Sequence, residues 1–246
     1  MLSKSQISFI KSLHQKKFRK ENGLFIIEGI KATTEFLGSA YRLHSIYHTG
    51  NLPAELKGTD TNIKLFEVKQ TDLQRISTLQ TPQGILALVH IPEEQAFDPG
   101  SLRQRFTLAL DGVQDPGNLG TIIRTADWFG FSTLICSPNT VEAFNPKTVQ
   151  ATMGSLARVR IHYADLPELI AAAGVPVFGA LLNGEDIYRT KWGNEGLVVL
   201  GNEGQGISPA VQAHITTPVT IPRRGGAESL NVAISAAIFC SELCRS

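Results

Sequence analysis

Cysteine is scarce in this 246-residue sequence, which contains only Cys136, Cys240 and Cys244. Such an odd and sparse set cannot build a disulfide framework and is typical of a reducing compartment, so we expect a cytoplasmic protein. Cys240 and Cys244 are four residues apart on a predicted helix and share one of its faces. We interpret both as core residues, and we predict no metal site.

Long apolar runs are missing as well. No uninterrupted apolar stretch approaches 18 residues, so we expect no membrane-spanning helix. The N-terminus is basic but lacks the long apolar segment of a signal peptide. With 42% hydrophobic residues, the chain can still bury the core of one large domain or two small ones.

Two common nucleotide-binding motifs are also absent. Residues 201–206 read GNEGQG, which does not fit G-x-G-x-x-G, and Ile221 and Pro222 stand where a dinucleotide fold needs an acidic residue. The sequence contains no G-x-x-x-x-G-K-[ST] motif. These absences argue against a nicotinamide-dependent enzyme and against an NTPase.

Charge is nearly balanced over the whole chain, at +1, but it is unevenly distributed. Residues 1–20 contain six lysines and arginines and no acidic residue, so the remaining chain has a net charge of −5. This asymmetry predicts a short amphipathic basic helix followed by a basic tail, which together form a basic arm. The alternative is an ordinary terminal helix with a solvated charged face.

Apolar runs alternate with helical patterns along the rest of the chain. Residues 24–90 give a small α/β unit with its own core. Residues 91–100 are polar, with two prolines and a glycine, and we interpret them as a linker. We therefore predict a basic arm plus small domain over residues 1–92, a linker over residues 93–103 and a second domain over residues 104–246.

The second domain combines near-continuous apolar strands with helical crossovers, which predicts a parallel sheet covered on both faces. In such sheets ligands bind beyond the carboxyl ends of the strands. Three glycine-containing turns fall there, after Leu182, after Leu200 and after Ile221. Because glycine lets main chain approach a ligand closely, we expect these turns to form one site.

The first polar motif of this domain lies at residues 111–127. It contains an Asp-Pro-Gly-Asn turn, and Asn118 is predicted to be the N-cap of the helix that follows. Arg124 lies opposite the apolar stripe of this helix. Its side chain is either solvated or, close to free N–H groups at a helix N-terminus, part of a phosphate-binding site.

Another polar motif, Glu228-Ser229-Leu230-Asn231, precedes the last helical pattern. Glu228 or Ser229 is predicted to cap this helix. Asn231 is expected inside the first turn, where its amide is free to donate and accept hydrogen bonds toward a bound group.

Three segments together resemble motifs of the SpoU/TrmH family of RNA ribose 2′-O-methyltransferases, in the SPOUT superfamily: LDGVQDPGNLGTIIRTADWFG, LVVLGNEGQGIS and IPRRGGAESLNVAISAA. Their order and separation match the family across residues 108–240. Residues 24–90 are similar, more weakly, to the ribosomal-protein-like substrate-binding domain of many members. The resemblance implies an α/β fold with a parallel sheet, a C-terminal trefoil knot and a homodimer through the catalytic domains.

The resemblance also implies the cofactor and the site residues. The implied cofactor is S-adenosylmethionine, held by Leu181, Gly201, Ile221, Leu230 and Asn231. The implied catalytic group is Asn118, Arg124, Glu203, Ser229 and Asn231.

The implied reaction is methyl transfer to a ribose 2′-hydroxyl of structured RNA, with ribosomal RNA favoured by the extra N-terminal domain. Because a guanidinium keeps its proton, we interpret Arg124 as a phosphate clamp and as a stabiliser of the developing alkoxide. Ser229 and Asn231 are expected to orient the hydroxyl, and Glu203 to hold Arg124 or its own loop. The alternatives are a transfer-RNA methyltransferase, a base methyltransferase and a non-enzymatic RNA-binding or ribosome-assembly protein.

Overall fold

The strands that the structure describes form two sheets, one in each of two compact units. The structure is a computed structural model that describes residues 2–50, 52–56, 63–93 and 96–245. The first unit comprises residues 1–93 and 142–158, and the second comprises residues 94–141 and 159–246. Residues 142–158 therefore group with the first unit, although they lie within the range predicted for the second domain.

The helices and strands follow the alternation of the sequence. The helices of the described residues are α1 (Lys4–Ser12), α2 (Lys16–Asn22), α3 (Ile30–Leu37), α4 (Gln70–Ile76), α5 (Pro116–Trp128), α6 (Pro146–Thr152), α7 (Leu166–Ala173), α8 (Pro209–Gln212) and α9 (Val232–Leu243). The strands are β1 (Leu24–Glu28), β2 (Leu43–His48), β3 (Lys64–Glu67), β4 (Ile85–His90), β5 (Phe106–Leu110), β6 (Thr133–Cys136), β7 (Arg160–Tyr163), β8 (Val177–Asp186), β9 (Gly196–Leu200) and β10 (Thr217–Thr220). Within the described residues, no helix has the length and apolar character needed to cross a membrane.

The first unit is built on a four-stranded sheet with the order β1-β4-β2-β3. β4 runs antiparallel to β1 and β2, and β2 runs parallel to β3. β1 is buried over its whole length, so both of its faces pack in the core. Leu24 and Ile26 belong to an apolar cluster that also contains residues of α1 and α4. The ring of Phe25 packs instead against the rings of Phe36 and Phe144.

The first 20 residues belong to this core, which corrects the prediction of a basic arm. Ile7, Ile10 and Leu13 are buried in the cluster shared with α4, and the predicted basic tail is a second helix, α2. Arg19 is only 1% exposed. Its guanidinium donates to the carbonyls of Leu13 and His14, both at 2.9 Å, and to the carboxylate of Glu142. The five lysines of this segment remain on the surface.

The second unit contains a six-stranded sheet with the order β10-β8-β9-β5-β6-β7, and every pair in it is parallel. β9 is buried throughout. α7 packs on one face through an apolar cluster that includes residues of β5, β8 and β9, and α5 and α9 pack against each other. The predicted parallel α/β sheet is confirmed, whereas the trefoil knot stays a prediction.

The predicted linker, residues 93–103, is structured at its end. Asp98 caps a short 3-10 helix at Pro99–Leu102, and Leu102 is buried in the core of the second unit. Residues 94 and 95 of this linker lie outside the described residues.

The prediction that Cys240 and Cys244 are both core residues is correct for Cys240 only. Cys240 is buried, and burial raises the pKa of its thiol to about 12. Cys244 is exposed at the end of α9, and its thiol donates to the carbonyl of Phe129 at 3.5 Å. All three cysteines of the chain are free thiols.

Candidate active site

The neighbouring strands β8, β9 and β10 end side by side, and we call the end of the parallel sheet formed by their carboxyl ends its carboxyl edge. Pro218 of β10 pairs with Gly179, but the next residue, Val219, pairs with Glu185. Residues 180–184 therefore leave the pairing and form a wide bulge. The Thr220 hydroxyl holds this bulge by donating to the carbonyl of Leu182 at 3.1 Å.

Two glycines at this edge allow main chain to approach main chain. A Cβ placed on Gly184 would lie 2.6 Å from the carbonyl carbon of Pro218. A Cβ on Gly201 would collide with the backbone of Gly206 and Ile207. The loop that follows β9 closes on itself, because Asn202 and Gly206 exchange backbone hydrogen bonds of 2.9 Å. Only glycine fits at such contacts.

Asn202 fixes this loop, and the sequence analysis did not single it out. Its side-chain oxygen accepts from the backbone N–H groups of Gly204 and Gln205, and its amide group donates to the carbonyl of Gly112 at 2.7 Å. An Asn directly after the glycine that ends an apolar run is the signal that was available, since Asn side chains stabilise turns in this way.

The N-terminus of α5 differs from the prediction. Asp115, and not Asn118, is the N-cap, because its carboxylate accepts from the backbone N–H of Asn118 at 2.8 Å and Pro116 occupies the first turn. The helix thus begins two residues before Asn118, and the Asn118 side chain is free for other partners. It donates to the carboxylate of Glu203 at 2.9 Å.

Asn231 also differs from the prediction, because it is itself the N-cap of α9. Its side-chain oxygen accepts from the backbone N–H groups of Ala233 and Ile234, at 2.9 and 3.3 Å. Its amide nitrogen is left to donate to the side-chain oxygen of Asn118 at 3.0 Å. An ionised carboxylate can only accept, so the three-residue chain Asn231–Asn118–Glu203 has one consistent direction of donation.

The N-termini of α5 and α9 meet at this chain of hydrogen bonds. Asn118 lies in the first turn of α5, Asn231 caps α9, and at the other end Cys244 contacts Phe129, so the two helices run side by side in parallel. The positive ends of two helix dipoles therefore lie together beside the Glu203 carboxylate. This arrangement stabilises the negative charge of the carboxylate.

Arg124 and Ser229 are exposed, and neither takes part in the hydrogen bonds that join Asn231, Asn118 and Glu203. Within the described residues neither side chain makes a hydrogen bond or ion pair, so the predicted contact between Glu203 and Arg124 is absent there. Arg124 lies one turn before Trp128 on α5, which is 84% exposed, so both belong to an outward face of the helix.

The residues implied for the cofactor lie along the same edge. Leu181 is in the bulge of β8, Gly201 follows β9, Ile221 follows β10 and Leu230 precedes Asn231. Leu182 and Leu230 leave 73% and 48% of their surface exposed. Exposed leucines beside glycine-lined main chain suit a ligand with an apolar ring and polar edges. In the described part of the chain, no three His, Cys, Asp or Glu residues are placed to bind a metal.

Comparison with known proteins agrees with these features. Residues 105–241 match the SpoU rRNA Methylase family, and residues 4–87 match the MRM3-like substrate binding domain. The 23S rRNA (guanosine(2553)-2′-O)-methyltransferase RlmP of Bacillus subtilis is 35% identical over 239 residues, 95% of this chain and 93% of the relative.

Solved structures give the same result. A TrmH-family protein from Porphyromonas gingivalis is 41% identical with a TM-score of 0.89, over 100% of this chain and 99% of its own. An AdoMet-bound rRNA methyltransferase from Sinorhizobium meliloti is 29% identical with a TM-score of 0.87, over 100% and 96%. The resemblance read from the three motifs is confirmed, and this chain belongs to the SpoU rRNA methylase family.

Proposed function

We propose that this protein transfers a methyl group from S-adenosylmethionine to the 2′-hydroxyl of a ribose in ribosomal RNA. The observation that carries the proposal is the chain Asn231–Asn118–Glu203 at two convergent helix N-termini, next to the glycine-lined edge of the sheet. Membership of the family and the 2′-O-methyltransferase activity in the name of the Bacillus subtilis relative support the same reaction. The three free cysteines are consistent with action in the cytoplasm.

The edge of the sheet provides the binding surface for the cofactor. Main chain around Gly201, Ile221 and the bulge at Leu181 would hold its polar edges, and Leu230 would cover its apolar part. When bound, S-adenosylmethionine supplies a methyl group already activated on a sulfonium. The enzyme's remaining task is to position the ribose hydroxyl and to stabilise the negative charge that grows on its oxygen.

Asn118 and Asn231 are suited to that task because their orientation is fixed by each other, by the α9 backbone and by Glu203. The two helix N-termini add positive potential for the developing alkoxide or for a neighbouring phosphate. Ser229 lies in the exposed segment just before Asn231 and is proposed to contact the ribose. Arg124 is proposed to clamp an RNA phosphate.

We further propose that the second unit forms a homodimer. The supporting observation is Trp128 on α5, a large aromatic side chain that is 84% exposed, since aromatic residues are enriched in protein interfaces. An interface over Trp128 would place Arg124 within or beside the contact. Sedimentation of the wild type and of Trp128→Asp tests this, since the proposal requires a dimer that the substitution weakens.

The reaction is tested by incubating the protein with methyl-labelled S-adenosylmethionine and either purified ribosomal RNA or transfer RNA. We expect label on ribosomal RNA, at one 2′-O position that resists alkaline cleavage. Label on transfer RNA or on a base would replace the proposal with that substrate. Absence of heat on titration with S-adenosylmethionine would identify a non-enzymatic RNA-binding protein.

The role of Arg124 is tested by Arg124→Lys, which keeps the charge but loses the planar fork. Loss of one charge-assisted hydrogen bond costs about 1.5–3 kcal/mol, so turnover should fall roughly tenfold or more. Nearly full turnover would exclude a bidentate clamp. The matched control is Lys147→Arg, an exposed position on α6 in the first unit, where we expect no change.

A further inference from the structure

The first unit contains a cleft of about 450 Å³ where β2 and β3 begin and β4 ends. Its polar lining comes from these three strands and their flanks: Arg42, His44, Lys64 and His90. The remaining wall is formed by Tyr41 and apolar side chains. The backbone is fixed here, since the N–H of His90 donates to the carbonyl of Arg42 at 2.9 Å.

The charge of the cleft has one sign. No acidic side chain lines it in the described part of the chain, and neither Arg42 nor Lys64 forms an ion pair with a described residue. The rings of His44 and His90 lie 5.5 Å apart between centroids. Burial, together with Lys64 and Arg42, lowers the pKa of His44, and burial, Arg42 and His44 lower that of His90. Four groups that gain energy from an anion thus share one concave surface.

His44 is placed in the cleft by an irregularity of the sheet. The pairing of β2 with β4 shifts register between Leu43 and Ser45, so His44 lies at a bulge. Bulges re-aim side chains and are common beside binding sites. The Nδ1 atom of His44 is 3.0 Å from the hydroxyl of the buried Ser45. This contact orients the ring and leaves its Nε2 atom to face a ligand.

We propose that this cleft binds a phosphodiester of the RNA substrate, as a second anchoring point in addition to the methyl-transfer site. Arg42 and Lys64 would neutralise the phosphate, and the imidazoles of His44 and His90 would donate to its oxygens when protonated. Tyr41 and the apolar wall suit the adjoining sugar or base. The inference rests on the proposed function in that it takes RNA to be the substrate.

The test uses the full chain and purified ribosomal RNA. We compare the wild type, Arg42→Gln/Lys64→Gln and the matched control Lys16→Gln/Lys20→Gln, which removes two exposed charges from α2. The cleft variant should bind RNA at least tenfold more weakly, and the slope of log affinity against log salt should fall by about one or more. The KM for RNA should rise while kcat at saturating RNA stays near the wild-type value.

The binding of S-adenosylmethionine and the melting temperature should be unchanged in both variants, which excludes misfolding. Equal RNA affinity in the wild type and the cleft variant would overturn the proposal, as would an equal loss in the α2 control, because general charge would then explain the effect. If the wild type itself fails to methylate ribosomal RNA, the proposed function fails. The binding comparison then judges the cleft by itself.

Discussion

Each unit contains a set of polar side chains linked by hydrogen bonds, and the two sets differ in how exposed they are. In the first, the linked groups are buried and stabilise the fold. Arg19 forms an ion pair with Glu142, and the Glu28 carboxylate accepts hydrogen bonds from the backbone and hydroxyl of Thr78. In the second, Asn118, Glu203 and Asn231 form hydrogen bonds with one another at the surface, where Asn118 is half-buried and the other two residues are exposed. Buried charges require complete pairing, whereas linked surface groups stay accessible to a substrate. The difference separates polar residues that hold the fold from those positioned for a ligand.

The largest effect, on the free energy of unfolding, is expected from removing the buried ion pair between Arg19 and Glu142 in the first unit. Arg19→Ala leaves Glu142 and the carbonyls of Leu13 and His14 without their donor. Removing one partner of a buried ion pair costs about 3–5 kcal/mol. Urea unfolding measures the loss, with exposed Lys20→Ala as the control. A loss of stability no larger than that of the control would mean that the contacts of Arg19 do not stabilise the fold.

A smaller effect is expected at the glycine-lined edge of the second unit. Gly201→Ala forces a Cβ into the backbone at Gly206, and such overpacking costs typically about 1–3 kcal/mol. Affinity for S-adenosylmethionine, measured by titration calorimetry, should fall together with stability. Gly38→Ala in the first unit is the matched control, because a Cβ there has its nearest neighbour at 3.8 Å, which is an ordinary contact. Equal stability and equal affinity in the two variants would show that the close main-chain contact at Gly201 is not required.

The accessible polar chain of the second unit should affect catalysis more than stability. Asn118→Ala removes two exposed hydrogen bonds, one of them to the Glu203 carboxylate. We expect kcat to fall roughly tenfold, equivalent to about 1.4 kcal/mol, with little change in the urea midpoint. Gln114→Ala, at an exposed position in the loop just before α5, is the control. A change in stability without a change in kcat would assign Asn118 to the fold.

The smallest effect concerns pH and returns to the first unit. The folded-state pKa values of His44 and His90 are lowered, so the unfolded chain binds more protons below the unperturbed value of about 6.5. Their contribution to stability is present above that value and is lost as pH falls through the lowered values. Urea midpoints of the wild type should fall modestly between pH 7 and pH 5.5, and less in His44→Gln/His90→Gln.

The pH dependence of phosphate binding in the cleft should have the opposite direction to the pH dependence of stability. An anion beside both rings raises their pKa values, so RNA affinity should rise as pH falls over the same window, and the double histidine variant should flatten that rise. The groups that face the two rings are Arg42, Lys64 and Tyr41. A flat profile in the wild type would mean that neither imidazole contacts the phosphate.

Much of the fold could be predicted from local sequence. The apolar runs of the sequence marked the strands, and the helical patterns between them marked the crossover helices of the parallel sheet. The caps were less certain, because Asp115 and Asn118 are both good cap residues three positions apart. Asn231 was misread for the same reason, with Glu228 and Ser229 as competitors.

The sequence by itself determined the parallel sheet, because strand and turn patterns are set by residues within a few positions of one another. Its three motifs carried the resemblance to the family, and that resemblance implied the candidate residues. Tertiary structure alone decided that Arg19 is buried against Glu142 and that Asn118 joins Glu203 and Asn231, partners separated by 123, 85 and 113 positions. Their contact depends on how whole elements pack, which local propensity does not encode.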